Sequence, residues 1–303
     1  PQPPDQPRLV ITVLGLDPAT GYGVSIWLFW VVLGTSVYAF GRRAHSRAVG
    51  LVAAIGYLTT SGEHFMGGWE YVMRWGVWPQ WLALAFGLFA LSRVDVALGT
   101  GRRRTLAATA LFVGLALLGH MVMVAGFALA FMALLFAWWW GPRPGSASGR
   151  VAFARGAVIV LVGVLVAASF LLPFWSTRAL TDERANFWST GYELGHRLLT
   201  RGELFGELPL IGLAAVAGAV LALVRRPSFL MVFAVFMVVV ALVVSQSSFV
   251  GELHLFDVVD PIKNIIWYRI VELGKPFWFL LAAYAVSVGW RHVLAFRLGP
   301  HLA

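Results

Sequence analysis

Apolar residues in this chain occur in long runs separated by short polar segments, which is the pattern of membrane-spanning helices. Seven mostly apolar windows each predict one such helix: 23–41, 48–60, 77–91, 156–174, 209–224, 228–245 and 277–289. The run 105–140 would be ~54 Å long as a single helix, which exceeds the thickness of a bilayer. We divide this run at Gly119 and His120. The sequence therefore predicts an all-α, polytopic membrane bundle of about nine spans, forming a single integral membrane domain over residues 1–303.

Basic residues are distributed unevenly among the loops that connect these spans. Loops 42–47, 92–104, 141–155, 225–227 and 290–303 together carry 14 Arg residues and one acidic residue, Asp95. The alternate loops, 1–22, 61–75, 175–208 and 246–276, hold the other nine basic residues and 13 acidic ones. The positive-inside rule places the Arg-rich loops in the cytoplasm. We therefore expect a multi-pass inner-membrane protein with a cytoplasmic C-terminus.

Composition supports a membrane protein and excludes several other classes. Hydrophobic residues make up 59% of the chain and charged residues only 12%, which excludes a water-soluble globule and a disordered chain. The net charge of +9 would suggest nucleic acid in a soluble protein, but here it belongs to the cytoplasmic loops. Membrane lipids, and no nucleic acid, are the expected partners. The chain has no Cys, which excludes disulfides, a thiolate nucleophile and Cys-ligated metal.

The predicted topology also bears on the start of the chain. Nine spans and a cytoplasmic C-terminus place Pro1 outside, yet the sequence begins without Met or a signal peptide. We expect at least one further span upstream of Pro1.

The first long outer loop, 61–75, combines Glu63, His64 and Arg74 with several Trp residues. Such a segment fits an interfacial hairpin whose indoles lie at the level of the lipid headgroups. An alternative interpretation is the lip of a substrate site, where Trp78 and its neighbours would stack on a sugar or prenyl group. Arg74 would then contact a phosphate.

The second outer loop, 175–208, contains Arg178 and a Glu193/His196 pair at a spacing of three residues. This spacing occurs in carboxylate-bridged metal sites of helical bundles, although such sites normally use two pairs. An amphipathic, solvated interfacial helix gives the same spacing. A third interpretation assigns the Arg residues of this loop to substrate binding.

The third outer loop, 246–276, places His254, Asp257 and Asp260 at successive intervals of three residues. A set of this kind could bind a divalent cation through nitrogen and oxygen ligands. Residues 263–275 then predict an interfacial helix that leads into the last span. Arg269 is costly so close to hydrocarbon, and we expect it either to pair with Glu272 or to face an anion.

His120 lies at the predicted outer turn between two spans. It is expected to be a hydrogen-bonded turn residue. Its ordinary pKa would also suit proton transfer, but no carboxylate lies near it in the sequence.

The order of these elements matches a known group of membrane proteins. The segment GVWPQ (76–80) precedes an apolar span, and a cytoplasmic Arg run, a turn with Gly119 and His120, the segment LPFW (172–175) and WYR (267–269) follow. This order resembles bacterial and archaeal polytopic proteins labelled as 6-pyruvoyl-tetrahydropterin synthase-related. These proteins are similar to GT-C class glycosyltransferases of lipid-linked sugars, and their label implies no pterin chemistry.

The resemblance implies transfer of a sugar from a polyprenyl phosphate to an acceptor at the outer membrane face. In such enzymes a carboxylate in the outer loop directly after the first span acts as general base. We expect that loop, and with it the main base, upstream of Pro1. The candidate catalytic residues within the chain are Asp17, Glu63 and His64. The candidate substrate-binding residues are Arg74, Trp78, His120, Arg178, Arg269 and Lys275. A divalent metal is a candidate cofactor, with Glu193, His196, His254, Asp257 and Asp260 as its candidate ligands.

Two other functions are compatible with the sequence. A non-catalytic scaffold of an envelope-assembly complex would tolerate neutralisation of all the outer carboxylates. A transporter of a lipid-linked solute would need ionisable residues inside its spans, and the predicted spans are nearly free of them.

Overall fold

The described part of the chain is a bundle of α-helices. A computed structural model describes residues 15, 17–60, 68–70, 78–145, 147–177, 189–254 and 267–298. These ranges contain no β-strand, and Ser189 and Gln246 form an isolated parallel bridge. The predicted all-α fold class is confirmed for this part of the chain.

Each of the nine predicted spans falls on a helix. In chain order these helices are α1 (Pro18–Ala44), α2 (Arg47–Leu58), α3 (Trp78–Thr100), α4 (Arg103–Gly119), α5 (Val122–Trp140), α6 (Gly149–Thr177), α8 (Pro209–Arg225), α9 (Phe229–Val244) and α11 (Trp267–Leu298). Two short helices, α7 (Gly191–Gly195) and α10 (Ser247–Glu252), lie in predicted outer loops. A π-helical turn (His196–Arg201) and a 3₁₀ turn (Glu203–Phe205) follow α7.

Five of these helices are long and apolar enough to cross a membrane. The qualifying segments are Ala19–Ala44, Trp78–Thr100, Val122–Trp140, Gly149–Pro173 and Arg269–Val293. The apolar helices α2, α8 and α9 have 10 to 17 residues and are shorter than this class. The structure is thus compatible with a multi-pass membrane protein, and the total of nine spans stays a prediction.

Several predicted helix ends were wrong because the helices continue into the predicted loops. Helix α3 continues to Thr100 and α6 begins at Gly149, so much of the predicted loops 92–104 and 141–155 is helical. Residues 267–275 belong to the segment that was predicted as an interfacial helix leading into the last span. They form one continuous helix, α11, with the last span, across Pro276. A proline inside a helix removes its own N–H bond to the carbonyl four residues earlier, here that of Glu272.

Helix α11 lies at the centre of the bundle. It packs against α2, α5, α8 and α9, and 83% of its most apolar window is buried. Helix α6 packs chiefly on α4, and only 17% of its apolar window is buried. The exposed side of α6 is therefore available to lipid, whereas α11 is surrounded by protein.

Glycines allow two of these helix pairs to approach closely. Gly41 of α1 faces Gly50 of α2, and a Cβ at Gly50 would lie 2.6 Å from the carbonyl oxygen of Tyr38. In the same way, a Cβ at Gly218 of α8 would collide with the carbonyl oxygen of Leu281 on α11. Small residues at such contacts are typical of membrane helices, whose association depends on close packing.

The Arg-rich end of the bundle is held together by polar contacts. Arg43 of α1 forms a 2.9 Å ion pair with Asp95 of α3. Arg155 of α6 donates hydrogen bonds to the carbonyls of Leu98 (2.6 Å) and Gly99 (2.9 Å) near the C-terminus of α3. These carbonyls belong to the last turn of a helix, where a cation is a favourable partner. The two contacts connect α3 to α1 and to α6.

Substitution of the contact glycines tests this packing. We expect Gly50→Ala and Gly218→Ala each to lower stability by about 1–3 kcal/mol, because the new methyl group meets backbone atoms that cannot move aside. Gly289→Ala is the matched control, since nothing lies within 4 Å of its Cβ position. Thermal unfolding in detergent measures the effect. Equal midpoints for all three variants would contradict the close packing.

Candidate functional site

Polar side chains from four elements meet at the outer end of the bundle. We call this group the outer polar cluster. Tyr57 lies at the end of α2, Gln80 at the start of α3 and His120 in the turn between α4 and α5. The first turns of α11 contribute three charged residues, which are Arg269, Glu272 and Lys275. These positions lie at the ends of their helices opposite to the Arg-rich loops.

Glu272 is the central member of the outer polar cluster. Its side chain is buried, with 1% exposure, within the candidate span Arg269–Val293. The Gln80 amide nitrogen Nε2 donates a 2.8 Å hydrogen bond to Glu272 Oε2. Glu272 Oε1 and Gln80 Oε1 have no hydrogen-bond partner among the described residues. One oxygen of the carboxylate is therefore held by α3, and the other is buried without a hydrogen-bond partner among the described residues.

Two cations accompany this carboxylate. Lys275 is fully buried, and its Nζ lies 5.8 Å from the centre of the Tyr57 ring, within reach of a cation–π interaction. Arg269 and Lys275 lie three residues before and three residues after Glu272 on α11, about one helical turn away on each side. The Arg269–Glu272 pair stays a prediction, and the hydrogen bond that the Glu272 carboxylate receives comes from Gln80.

Several buried polar atoms around this set have no partner among the described residues. The unpaired donors are the Tyr57 hydroxyl, the Trp81 indole nitrogen and Arg269 Nε. Each buried donor without a partner costs about 1–3 kcal/mol relative to hydration. A polar or anionic ligand that accepted these hydrogen bonds would recover this cost.

His120 is a neutral member of the cluster. Its Nδ1 accepts a 3.1 Å hydrogen bond from the backbone N–H of Val122, which places the ring proton on Nε2. Burial and, to a smaller extent, the charge of Arg269 lower the pKa of His120 to about 4. The expected hydrogen-bonded turn residue is therefore confirmed. At neutral pH the ring offers a donor and carries no charge.

Two other predicted site residues have structural roles. Asp17 caps α1, and its Oδ1 accepts hydrogen bonds from the N–H groups of Ala19 and Thr20, both at 3.1 Å. Trp78 is buried and stacks on Phe29 with 5.2 Å between ring centres. Its ring contacts the protein core at the outer end of α1. Glu63, His64, Arg74, Arg178, Asp257 and Asp260 lie outside the described residues.

The remaining metal candidates do not form a group in the described part of the chain. Glu193 is exposed, and His196 stacks on Tyr192 at 6.3 Å. His254 is exposed, in a left-handed turn with a φ of 50° after α10. No group of three or more His, Asp or Glu side chains among the described residues could hold a metal ion. A metal in this protein stays a prediction.

An apolar cavity lies between α3, α5, α9 and α11. Its volume of about 10 Å³ has room for one water molecule. The lining includes Leu84, Leu88, Met123, Met237 and Phe277. A substrate could not fit in this cavity, and its lining contains none of the residues of the outer polar cluster.

Tyr57 and Gln80 are the cluster residues that the sequence analysis did not identify as functional. Each lies in or beside an apolar run, where an isolated polar atom has no periodic signal. A glutamine at the fourth position of the predicted span 77–91 was the one available indication.

The pKa of His120 leads to a prediction about pH dependence. The unfolded state, with an ordinary pKa of 6.5, takes up a proton before the folded state does. The contribution of neutral His120 to the free energy of unfolding is therefore complete above pH 6.5, and it is lost as the pH falls towards 4. The loss is about 1–3 kcal/mol, reduced by the partial exposure of the ring.

The variant His120→Asn tests this dependence, since the Asn oxygen can accept the Val122 hydrogen bond but does not titrate. Thermal unfolding at pH 7.0 and 4.5 should show a smaller acid-induced decrease in the variant than in the wild type. An identical decrease in the two proteins would mean that folding does not lower the pKa of His120.

Comparisons with known proteins give no assignment. No family model, curated protein or solved structure matches this chain. The resemblance to GT-C proteins therefore depends on the order of the sequence motifs alone.

Proposed function

We propose that this chain is a membrane-embedded, GT-C-like glycosyltransferase. It would transfer a sugar from a polyprenyl-phosphate donor at the outer membrane face. The outer polar cluster would bind the donor phosphate. The observation that carries this proposal is the position of two basic residues, buried Lys275 and partly buried Arg269, about one helical turn on either side of a single buried carboxylate, Glu272, at the outer end of the bundle.

The charge balance of the cluster favours an anionic ligand. Two basic side chains and one acidic side chain leave an excess of positive charge in a region of low polarity. Arg269 Nε and the Tyr57 hydroxyl add donors that lack partners among the described residues. A phosphate oxygen accepts such hydrogen bonds, and a guanidinium group binds phosphate with two parallel bonds. The neutral Nε2–H of His120 is a further donor beside Arg269.

This arrangement suits glycosyl transfer from a lipid phosphate. In that reaction the acceptor hydroxyl gives its proton to a carboxylate base, and its oxygen attacks the anomeric carbon. The bond from this carbon to the phosphate oxygen breaks, and the polyprenyl phosphate leaves with the electron pair. Arg269 would stabilise the negative charge that develops on the phosphate. Because the Asp17 carboxylate already caps α1, Glu63 is the better candidate base within the chain.

Phosphate recognition can be measured by competition between a polyprenyl phosphate and the corresponding polyprenol. We expect the wild type to prefer the phosphate and Arg269→Gln to reduce its affinity about tenfold to hundredfold, as for a charge-assisted hydrogen bond. Sugar transfer by the native gene product should fall together with binding. Arg104→Gln, at an exposed position at the inner end, is the control and should have no effect.

A second variant separates a binding effect from misfolding. Glu272→Gln keeps an acceptor for Gln80 but removes the negative charge, so its affinity for the phosphate should increase. Misfolding would weaken binding in both variants. A wild type that binds polyprenol and its phosphate equally would contradict the proposal and favour a non-catalytic scaffold.

A transporter of a lipid-linked solute is the second candidate function. The sequence analysis found few ionisable residues in the spans, but Glu272 and Lys275 lie buried within the candidate span Arg269–Val293. Buried ionisable groups at membrane depth are typical of transport pathways. Flux of a lipid-linked sugar across proteoliposomes, lost in Glu272→Gln, would support transport. Sugar transfer without flux would support the enzyme.

A further inference from the structure

A second group of cations lies at the inner end of the bundle, where α8 ends. We call it the inner basic cluster, and it consists of Arg225, Arg226 and His292, with Arg291 next to His292 in the sequence. Arg225 Nη2 lies 3.2 Å from His292 Nε2. Arg226 follows in a left-handed conformation with a φ of 46°, and its guanidinium carbon lies 4.8 Å from the centre of the Trp140 ring. The end of α8 therefore connects α5 and α11 through cationic side chains.

These cations lack acidic partners in the described part of the chain. Arg225, Arg226 and Arg291 have no described carboxylate within 4.0 Å. Asp95 is the one acidic residue in the loops of this end, and it already pairs with Arg43. The imidazole nitrogen of His292 accepts the hydrogen bond from Arg225, and both Arg225 and Arg226 are exposed, so further guanidinium donors are accessible. Such donors match the oxygens of a phosphate.

An exposed apolar stripe extends from the inner basic cluster along α8. Val224 is 75% exposed, and Val220, Leu213 and Leu210 are also exposed on the same helix. From residue 210 to residue 224 this stripe is ~21 Å long, about the thickness of one leaflet of a bilayer with its headgroups. Trp140 and Trp290, both exposed, flank its charged end, and indoles favour the headgroup level.

We propose that the inner basic cluster binds the headgroup phosphate of an anionic phospholipid in the cytoplasmic leaflet. Arg225 and Arg226 contact the phosphate, and an acyl chain lies along the apolar stripe of α8. A juxtamembrane cation contributes about 1 kcal/mol to the attraction of anionic lipid, so several together select it over zwitterionic lipid. This proposal depends on the membrane orientation and not on glycosyl transfer.

Native mass spectrometry of the protein from mixed micelles tests the site. The probes are phosphatidylglycerol and phosphatidylcholine at equal concentration. We expect the wild type to retain phosphatidylglycerol preferentially. The double variant Arg225→Gln/Arg226→Gln should lose this preference at least tenfold. Arg143→Gln/Arg150→Gln, which removes two exposed cations of the same end, is the matched control and should keep it.

Stabilisation of the detergent-solubilised protein distinguishes a lipid from a free anion. Phosphatidylglycerol should raise the unfolding temperature of the wild type and of the control, but not that of the Arg225/Arg226 variant. Glycerol phosphate and inorganic phosphate should have little effect. Equal stabilisation by the soluble phosphates would overturn the lipid assignment. Equal lipid retention by the two double variants would overturn the site, provided that all proteins elute as single folded species.

Discussion

Burial of charged side chains in an apolar helical bundle is the constraint on which the rest of this structure depends. Moving an ion into the protein interior costs several kcal/mol unless other groups compensate. Glu272 and Lys275 compensate each other, and Gln80 and the Tyr57 ring complete their surroundings. These partners come from α2 and α3, so both helices must be held at fixed positions beside α11. The close glycine contact between α1 and α2 and the central location of α11 meet this requirement.

The sequence predicted the helices well and their ends poorly. The length of each apolar run was sufficient to place a helix, and Gly119 and His120 correctly marked the turn within the longest run. The ends were missed because Arg residues were assigned to loops. Arg93 lies over the Phe112 ring, and Arg155 reaches the last carbonyls of α3, so both are accommodated within helices. Such partners come from neighbouring helices, and local hydropathy contains no information about them.

The outer polar cluster was predicted only in part. Arg269, Lys275 and His120 stood out because each is an ionisable group near hydrocarbon. The hydrogen bond between Gln80 and Glu272 joins residues 192 positions apart, and no local spacing could indicate it. Trp78 shows the opposite error. An indole at a predicted interface has the same sequence pattern whether it faces a substrate or, as here, packs on another helix.

The charged first turns of α11 also have a consequence for biosynthesis. A charged residue near the centre of a helix opposes its integration into the bilayer by about 2.5–3.5 kcal/mol on insertion scales, and less towards its ends. The first turns of α11 carry three charged residues, and α11 is the last described helix to leave the ribosome. Its partners on α2 and α3 are synthesised earlier and can already lie in the membrane. Integration of α11 and assembly of its polar contacts are therefore coupled, and a misassembled bundle would leave this helix accessible to membrane proteases.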